Sequence, residues 1–335
     1  MNIKIFKIAA VQASPVFLDK NATIAKAGRL IAEAAKGGAK LAVFPEVFIP
    51  GYPDWIWNVP AGQIALNQEL YKELLEQSIA VPGPDVDALC QAAKDAGIFV
   101  VMGINERNVE ASGGSLYNSL LYIDSEGNLL GKHQKLVPTA PERTIWGYGD
   151  PSTLGIYETE LGKIGGLICH ENYMPLVRYS LYGQGIEIYF APTYDEGETW
   201  RSTIRHIGRE GRVYAVGCCM VLRKEDILNS APQLASYYSE AGEWINTGNS
   251  VITDPNGDIL AGPLNKKEGI LYADVDPDVI HGSRWNLDVA GHYARPDVFH
   301  LTVRKNPTPI LTIDEGQKKT DVQIDDASST ESYDY

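Results

Sequence analysis

A cysteine followed at once by a histidine and a glutamate is the first feature of this sequence that could do chemistry. Cys169 ends the apolar run of the segment GGLICHENYMP (165–175), and His170 and Glu171 come directly after it. A residue at a strand-to-helix turn is held rigidly, and backbone N–H groups near it can face a developing negative charge. Buried cysteines that do no chemistry are also common. The position therefore leaves open whether Cys169 is a nucleophile or a core thiol.

The same segment begins like a zinc-binding motif. The letters HENYM match the start of HExxH, but Met174 stands where the second histidine ligand is needed. The other five of the six histidines are scattered, and the four cysteines form no CxxC pair. We therefore expect no metal ion and no cofactor.

A thiol with an ordinary pKa of about 8.5 needs a base or a cation before it becomes a thiolate at neutral pH. Two upstream segments supply candidates. Glu46 follows a predicted buried strand in FPEVFIPGYP, and Lys135 ends a predicted hairpin strand in KHQKLVPTAPER, with Glu142 close behind. Each alone is typical of a charge at a strand end, although a buried carboxylate is costly unless it is paired or used.

Strand-like and helix-like segments alternate along the chain, which predicts a layered α/β domain. The predicted strands are 7–12, 40–46, 97–105, 163–169, 187–193 and 213–222. The predicted helices are one capped by Asn21, one within 61–79, one from Pro84, one from Pro175 to near Gly183, and one at 199–212.

Two segments read as hairpins of matching form. NSLLYIDSEGNLLG (118–131) and NSVITDPNGDILAG (249–262) each give a strand, a turn containing Asp and Gly, and a second strand. The repetition predicts two sheets that are built alike.

The composition limits the possible partners and location. The chain has 335 residues, 44% of them hydrophobic, and a formal charge of −14, which disfavours nucleic acid and anionic membranes. The few cysteines and the absence of a long apolar stretch predict a cytoplasmic protein, with Cys90, Cys218 and Cys219 as buried thiols. We expect one domain over 1–304, followed by a polar, acidic and disordered tail at 305–335.

Three of these motifs, in this order, resemble the signatures of the nitrilase superfamily: FPE, KLVPTAPER and CHENYMP. The likeness extends over about residues 5–300. Within the superfamily, CxENYMPLxRY and GHYARPDV (291–298) resemble the nitrilase branch. The resemblance implies a four-layer αββα sandwich whose copies pair into αββα-αββα dimers.

The resemblance also implies roles for four residues. Cys169 is the nucleophile, Glu46 is the general base, Lys135 stabilises the tetrahedral intermediate, and Glu142 orients Lys135. The implied reaction converts an organic nitrile to its carboxylic acid and ammonia through a thioimidate and an acyl-enzyme. An amidase or a cyanide-hydrating enzyme on the same fold is the nearest alternative, and a non-catalytic scaffold that forms filaments is a remote one.

One residue departs from the family pattern. Nitrilases usually carry Trp directly after the cysteine, and His170 stands here instead. We expect this residue to shape the wall of the substrate pocket. Aromatic residues near the motifs favour an aryl or arylalkyl nitrile, although packing in the core or in a subunit interface would explain them equally well. The remaining candidates for the pocket are Tyr52, Trp55, Trp57, Trp146, Thr193 and Tyr194.

The resemblance further implies a homo-oligomer, a dimer that extends into longer spirals. The segment 175–185 and a loop at 223–246 are the expected contact regions. GHYARPD is expected to hold the C-terminal region against the core, with Arg295 as an ion-pair partner.

Overall fold

The computed structural model describes residues 4–110, 112–307, 309 and 311–312. Strands and helices alternate along this part of the chain, as predicted. The strands are β1 (Phe6–Gln12), β2 (Ala39–Val43), β3 (Ile79–Ala80), β4 (Phe99–Arg107), β5 (Leu116–Ile123), β6 (Leu129–Gln134), β7 (Ile156–Thr159), β8 (Gly162–Gly166), β9 (Ile188–Phe190), β10 (Tyr214–Gly217), β11 (Val221–Arg223), β12 (Trp244–Thr253), β13 (Ile259–Asn265) and β14 (Gly269–Val275). The α-helices are α1 (Lys20–Lys36), α2 (Ile64–Glu76), α3 (Pro84–Ala96), α4 (Pro175–Gly183), α5 (Glu198–Gly211), α6 (Lys224–Ser230) and α7 (Pro277–Arg284).

The strands form two sheets of seven. The first has the order β14-β1-β2-β4-β5-β6, with β3 also paired to β4. The second has the order β11-β12-β10-β9-β8-β7, with β13 also paired to β12. Parallel pairing joins β1, β2 and β4 in the first sheet, and β8, β9 and β10 in the second. Each predicted hairpin is confirmed, because β5 and β6 form one in the first sheet and β12 and β13 one in the second.

Apolar residues on both faces of each sheet produce four layers. Along β1, Ile8 lies in the cluster between the two sheets, whereas Ala9 packs in the cluster beneath α1 and α3. The second sheet alternates in the same way, with Ile188 between the sheets and Tyr189 in the cluster beneath α4 and α5. Strands buried on both faces read as continuous apolar runs, as these do. The predicted αββα sandwich is confirmed.

The ends of several elements differ from the prediction. Asp19, and not Asn21, caps α1, because its carboxylate accepts the N–H of Ala22 at 2.9 Å. The strand predicted at 163–169 ends at Gly166, and a 3₁₀ helix, Cys169–Tyr173, begins at the cysteine. The predicted strand 213–222 is divided into β10 and β11, which pair with different parts of β12.

The segment 223–246 is not the loop that we expected. It contains α6 and a 3₁₀ helix, Pro232–Tyr238, before β12 begins. Their apolar side chains, including Tyr238, pack with residues of α2 in a cluster at one end of the sandwich. The segment is therefore part of the folded core.

The C-terminal part makes different contacts from those predicted. The ion pair that Arg295 forms is with Asp297 only two residues away, at 2.6 Å, and both side chains are exposed. Arg295 thus forms an ion pair, as expected, but its partner is local and does not connect this segment to the core. Most of the predicted tail, from 313 onward, lies outside the described residues. Within the described part of the chain, no helix is long and apolar enough to cross a membrane.

A glycine on β4 allows the segment that carries Glu46 to lie against this strand. Past the end of β2, Phe44 N–H donates to Val101 O at 2.8 Å and Ile49 N–H to Gly103 O at 3.2 Å. A Cβ on Gly103 would lie 2.0 Å from Pro45 O, far inside contact distance. A side chain here would displace the backbone beside Glu46.

Gly103→Ala should therefore lower the free energy of unfolding by about 1–3 kcal/mol, the usual cost of overpacking. Gly28→Ala is the matched control. Gly28 is inside α1, and a Cβ there would lie 3.9 Å from Ala92 Cβ of α3, an ordinary contact. That variant should gain about 0.5–1 kcal/mol. Denaturant unfolding followed by circular dichroism measures both, and equal stability of the two variants would contradict the packing argument.

Candidate active site

The side chains of the three upstream candidates meet in one buried cluster at the edge of the first sheet. The ammonium of Lys135, directly after β6, donates to Glu46 Oε1 at 2.9 Å and to Glu142 Oε2 at 2.7 Å. All three side chains are buried. Two carboxylates therefore neutralise one buried cation, and the cluster keeps a net negative charge.

Other groups also donate hydrogen bonds to the two carboxylates. Asn118 Nδ2 donates to Glu46 Oε1 at 2.7 Å. Glu142 receives the N–H of Thr139 at 2.7 Å and the hydroxyl of Tyr52 at 2.8 Å. Glu46 Oε2, by contrast, is buried and has no hydrogen-bond partner in the described part of the chain. It is an acceptor that remains open for a proton.

Cys169 lies on the second sheet, facing the core between the sheets. Its N–H donates to Pro192 O at 2.9 Å, which continues the pairing of β8 with β9, and the next turn is helical. Its φ is 51°, a left-handed conformation that is uncommon for a residue with a side chain. The thiol is 3% exposed, and Thr193 Oγ1 donates to Sγ at 3.3 Å. Such strain at a rigid turn is typical of functional positions.

Electrostatic coupling connects Cys169 with the buried cluster. The pKa of the thiol is raised to about 12, mainly by burial; Glu46 also raises it, whereas Lys135 lowers it. Burial also raises the pKa of Glu46, against the lowering effect of Lys135. For Lys135, burial alone would lower the pKa, but Glu46 and Cys169 raise it. The resting site is therefore a neutral thiol beside an ion-paired lysine.

His170 lies at the mouth of the site. Its side chain is exposed, with Nδ1 3.4 Å from Cys169 Sγ and its ring edge-on to Tyr173 at 5.1 Å. Its N–H belongs to the first turn of the 3₁₀ helix, where N–H groups have no acceptor within the helix. The backbone of His170 can therefore donate to an atom bound at Sγ.

Aromatic rings surround the buried cluster. Tyr52 stacks on Tyr194 with ring centroids 3.9 Å apart and meets Trp146 edge-on at 5.7 Å. Lys135 Nζ lies 6.0 Å from the centroid of Trp146. These rings exclude water from the ammonium and strengthen its interactions with the carboxylates.

The two other predicted tryptophans lie in different surroundings. Trp57 is 51% exposed and donates its indole N–H to Tyr52 OH at 3.1 Å. Trp55 is buried, and it packs edge-on to Phe17 at 6.1 Å in the cluster at the end of the sandwich. Trp57 therefore contacts the residues of the site, whereas the contacts of Trp55 are those of a core residue.

Asp54 holds the aromatic wall in place, and no sequence pattern predicted this role. Its buried carboxylate accepts the hydroxyls of Tyr194 at 2.9 Å and Tyr238 at 2.7 Å. Burial raises the pKa of Asp54 even though both hydroxyls donate to it. Asn118 was missed as well, because an asparagine inside a strand carries no signal for a partner on a distant segment. No group of three potential metal ligands occurs among the described residues.

Comparison with known proteins gives the class. The sequence profile of the carbon-nitrogen hydrolase family matches residues 7–284. Two solved structures share the fold: Nit3 of Saccharomyces cerevisiae (TM-score 0.67, 22% identity, 87% of this chain and 97% of that one) and a carbon-nitrogen hydrolase of Helicobacter pylori G27 (TM-score 0.68, 18% identity, 89% and 98%). The chain therefore belongs to the carbon-nitrogen hydrolase family.

Relatives with higher identity narrow the class. An aliphatic nitrilase of Sinorhizobium fredii is 44% identical over 90% of this chain and 96% of its own length. The bifunctional nitrilase/nitrile hydratase NIT4A of Lupinus angustifolius is 41% identical over 95% and 91%, and nitrilase 2 of Arabidopsis thaliana is 40% identical over 95% and 94%. The nitrilase branch predicted from the motifs is confirmed.

Removing the amide that supports Glu46 should move the pH dependence of activity. The hydrogen bond from Asn118 lowers the pKa of Glu46, so Asn118→Ala should raise that pKa further. Glu46, which the motifs predict to be the general base, accepts a proton only above its pKa, so the acidic limb of kcat/KM should move to higher pH. Rates of ammonia release across a pH series measure this, with Asn128→Ala on an exposed turn as the control. A limb that stays in place would show that Asn118 does not support the base.

Proposed function

We propose that this nitrilase hydrolyses an organic nitrile to its carboxylic acid and ammonia, with Cys169 as the nucleophile. One observation supports this most directly: the Lys135 ammonium, held between Glu46 and Glu142, is coupled electrostatically to the Cys169 thiol. A nitrile carbon is a weak electrophile, which a sulfur nucleophile attacks better than a hydroxyl does.

In the first step, Glu46 Oε2, the carboxylate oxygen without a partner, takes the thiol proton as Sγ bonds to the nitrile carbon. The nitrogen receives this proton, and a thioimidate forms. The N–H of His170 and the ammonium of Lys135 stabilise the charge that develops. Because the thiol is neutral at rest, proton transfer and attack occur together.

In the second stage, Glu46 removes a proton from water, which adds to the thioimidate carbon. Collapse of the tetrahedral intermediate breaks the C–N bond, releases ammonia and leaves a thioester. A second water hydrolyses the thioester to the carboxylic acid and the free thiol. If the C–S bond breaks instead, the amide is released. Relatives from Lupinus angustifolius and Nicotiana tabacum are named bifunctional nitrilase/nitrile hydratase, a name that covers both products.

The substrate pocket is proposed to be bounded by Tyr52, Trp146, Tyr194 and Thr193, with His170 at its mouth and Trp57 beside it. Trp55 enters this proposal only as support behind the wall. The aromatic surface suits an aryl or arylalkyl nitrile. Because the relative from Sinorhizobium is named an aliphatic nitrilase, aliphatic nitriles should be tested beside the aryl and arylalkyl ones.

We further propose a homo-oligomer in the cytoplasm, a dimer that extends into longer assemblies. The outer face of α4 supports the dimer, since Leu176 and Tyr293 are exposed around a cavity of about 870 Å³ between α4 and the C-terminal segment. The cysteines of the described chain are free thiols, as is usual in a reducing compartment.

Cys169→Ala should keep the fold and lower ammonia release by about 10⁴-fold or more, because no other group can form the thioimidate. Cys90→Ala, a half-buried thiol on α3, is the matched control and should retain full activity. Mass spectrometry with a slowly released nitrile should find the adduct on Cys169 alone. Undiminished turnover by Cys169→Ala would end the thiol mechanism.

A panel of aryl, arylalkyl and aliphatic nitriles, the matching amides and cyanide should separate the related reactions. We expect acid and ammonia from nitriles and little product from amides. Faster turnover of amides would make the protein an amidase, and formamide from cyanide would make it a cyanide-hydrating enzyme. A protein without turnover or adduct would be a scaffold.

His170→Trp restores the residue usual in nitrilases and should reorder the nitrile panel by kcat/KM. The larger ring would narrow the mouth of the site, so the bulkiest nitriles should lose most, by about tenfold. His281→Trp, the same exchange at an exposed position of α7, serves as the control. An unchanged ranking would show that residue 170 does not shape the pocket.

A further inference from the structure

One buried carboxylate connects the two halves of the site. Glu171, two residues after Cys169, is buried and receives three donors. Its Oε1 accepts the N–H of Leu136 at 2.8 Å, and its Oε2 accepts the N–H of Ile168 at 2.9 Å. His133 Nε2 also lies 2.9 Å from Oε2.

These donors come from both sheets. His133 and Leu136 flank Lys135 at the end of β6 in the first sheet, whereas Ile168 directly precedes Cys169 in the second. The Leu136 backbone and the His133 side chain, from either side of Lys135 in the chain, and the backbone beside the thiol are thus bound to the same two oxygens. A movement of either segment would break at least one of these hydrogen bonds.

The surroundings of Glu171 favour the ionised form of its carboxyl group. Burial alone would raise its pKa, but His133 and the two backbone N–H groups hold it below the ordinary value. The carboxylate stays ionised when the thiol is protonated, so it takes no part in proton transfer to Cys169. Its contacts, to backbone and to His133, are those of a positioning group.

Resting on the proposed function, we propose that Glu171, paired with His133, is a positioning residue that fixes Lys135 relative to Cys169. The nitrilase reaction needs the ammonium near the nitrogen that develops charge on a substrate bound at Sγ. Those two groups are on different sheets, and the Glu171 carboxylate spans the gap between their backbones.

The alternative is that Glu171 only stabilises the fold. Buried ion pairs often contribute little net stability, so the Glu171–His133 pair alone does not show whether Glu171 positions Lys135 or only stabilises the fold. Glu106 provides a matched control, because it is also buried and also accepts from residues beside Lys135, namely Lys132 and Gln134. Ser119, which also donates to Glu106, is on the same sheet. Glu106 therefore supports the same strand without reaching Cys169.

Glu171→Gln and Glu106→Gln should be compared by kcat, KM, melting temperature and the rate at which iodoacetamide alkylates Cys169. An amide offers an N–H where the carboxylate accepted one, so at least one bond is lost. We expect kcat of Glu171→Gln to fall by about tenfold or more with KM within about twofold, and Glu106→Gln to keep both.

The direction in which the alkylation rate of Cys169 changes distinguishes positioning of Lys135 from simple stabilisation of the fold. Lys135 lowers the pKa of the Cys169 thiol, so displacing the ammonium should reduce the thiolate and slow alkylation severalfold. Simple loosening of the fold would expose the thiol and accelerate it. Peptide mapping follows Cys169 separately, with Cys90 as the internal reference. Faster alkylation, or equal loss of kcat in both Gln variants, would overturn the proposal.

His133 gives a second route if Glu171→Gln does not fold. His133→Leu removes the side-chain donor and should slow both turnover and alkylation, whereas His133→Gln, which places a donor near the position of Nε2, should restore both. Failure of rescue would overturn the pairing. Alkylation needs no substrate, so it tests the positioning of Lys135 even if the nitrile panel contradicts the proposed reaction.

Discussion

The buried ion pair between the Lys135 ammonium and two carboxylates is the interaction on which the rest of the site depends. An isolated charge at this depth would cost several kcal/mol, and a single partner would leave donors or acceptors unsatisfied. Glu46 and Glu142 supply the opposite charge, while Asn118 donates to Glu46 Oε1 and Tyr52 donates to Glu142 Oε1. The cluster holds its geometry because every member loses a charged hydrogen bond if it moves.

Burial and the negative balance of this cluster together keep the thiol of Cys169, the proposed nucleophile, protonated. Burial is the largest cause of its raised pKa, Glu46 raises that pKa further, and Lys135 lowers it. One carboxylate oxygen, Glu46 Oε2, stays free of hydrogen bonds although it is buried. Such an orphaned acceptor is expensive in a core and is typical of a group that works during a reaction.

The sequence revealed the layers and the chemistry but not the contacts between distant segments. The alternation of strand-like and helix-like segments and the two matching hairpins follow from local rules, and they predicted a layered α/β domain with two sheets built alike. Glu46, Lys135 and Cys169 stood out because their segments resemble known signatures. The contacts of Asp54 and Glu171 depend instead on how the sheets face each other. Asp54 accepts hydrogen bonds from Tyr194, 140 positions away, and from Tyr238, 184 positions away. Glu171 entered the sequence analysis only as part of an incomplete zinc motif. No local periodicity records that packing.

The protonated resting state of Cys169 has a consequence for the durability of the enzyme. Oxidation by peroxide begins with a thiolate, and its rate follows the fraction ionised and the access of the oxidant. A thiol with a pKa of about 12 and 3% exposure presents almost no thiolate to solvent. In the proposed mechanism the thiol loses its proton only as it attacks a bound substrate, so between turnovers it should resist the damage to which permanently ionised catalytic cysteines are prone.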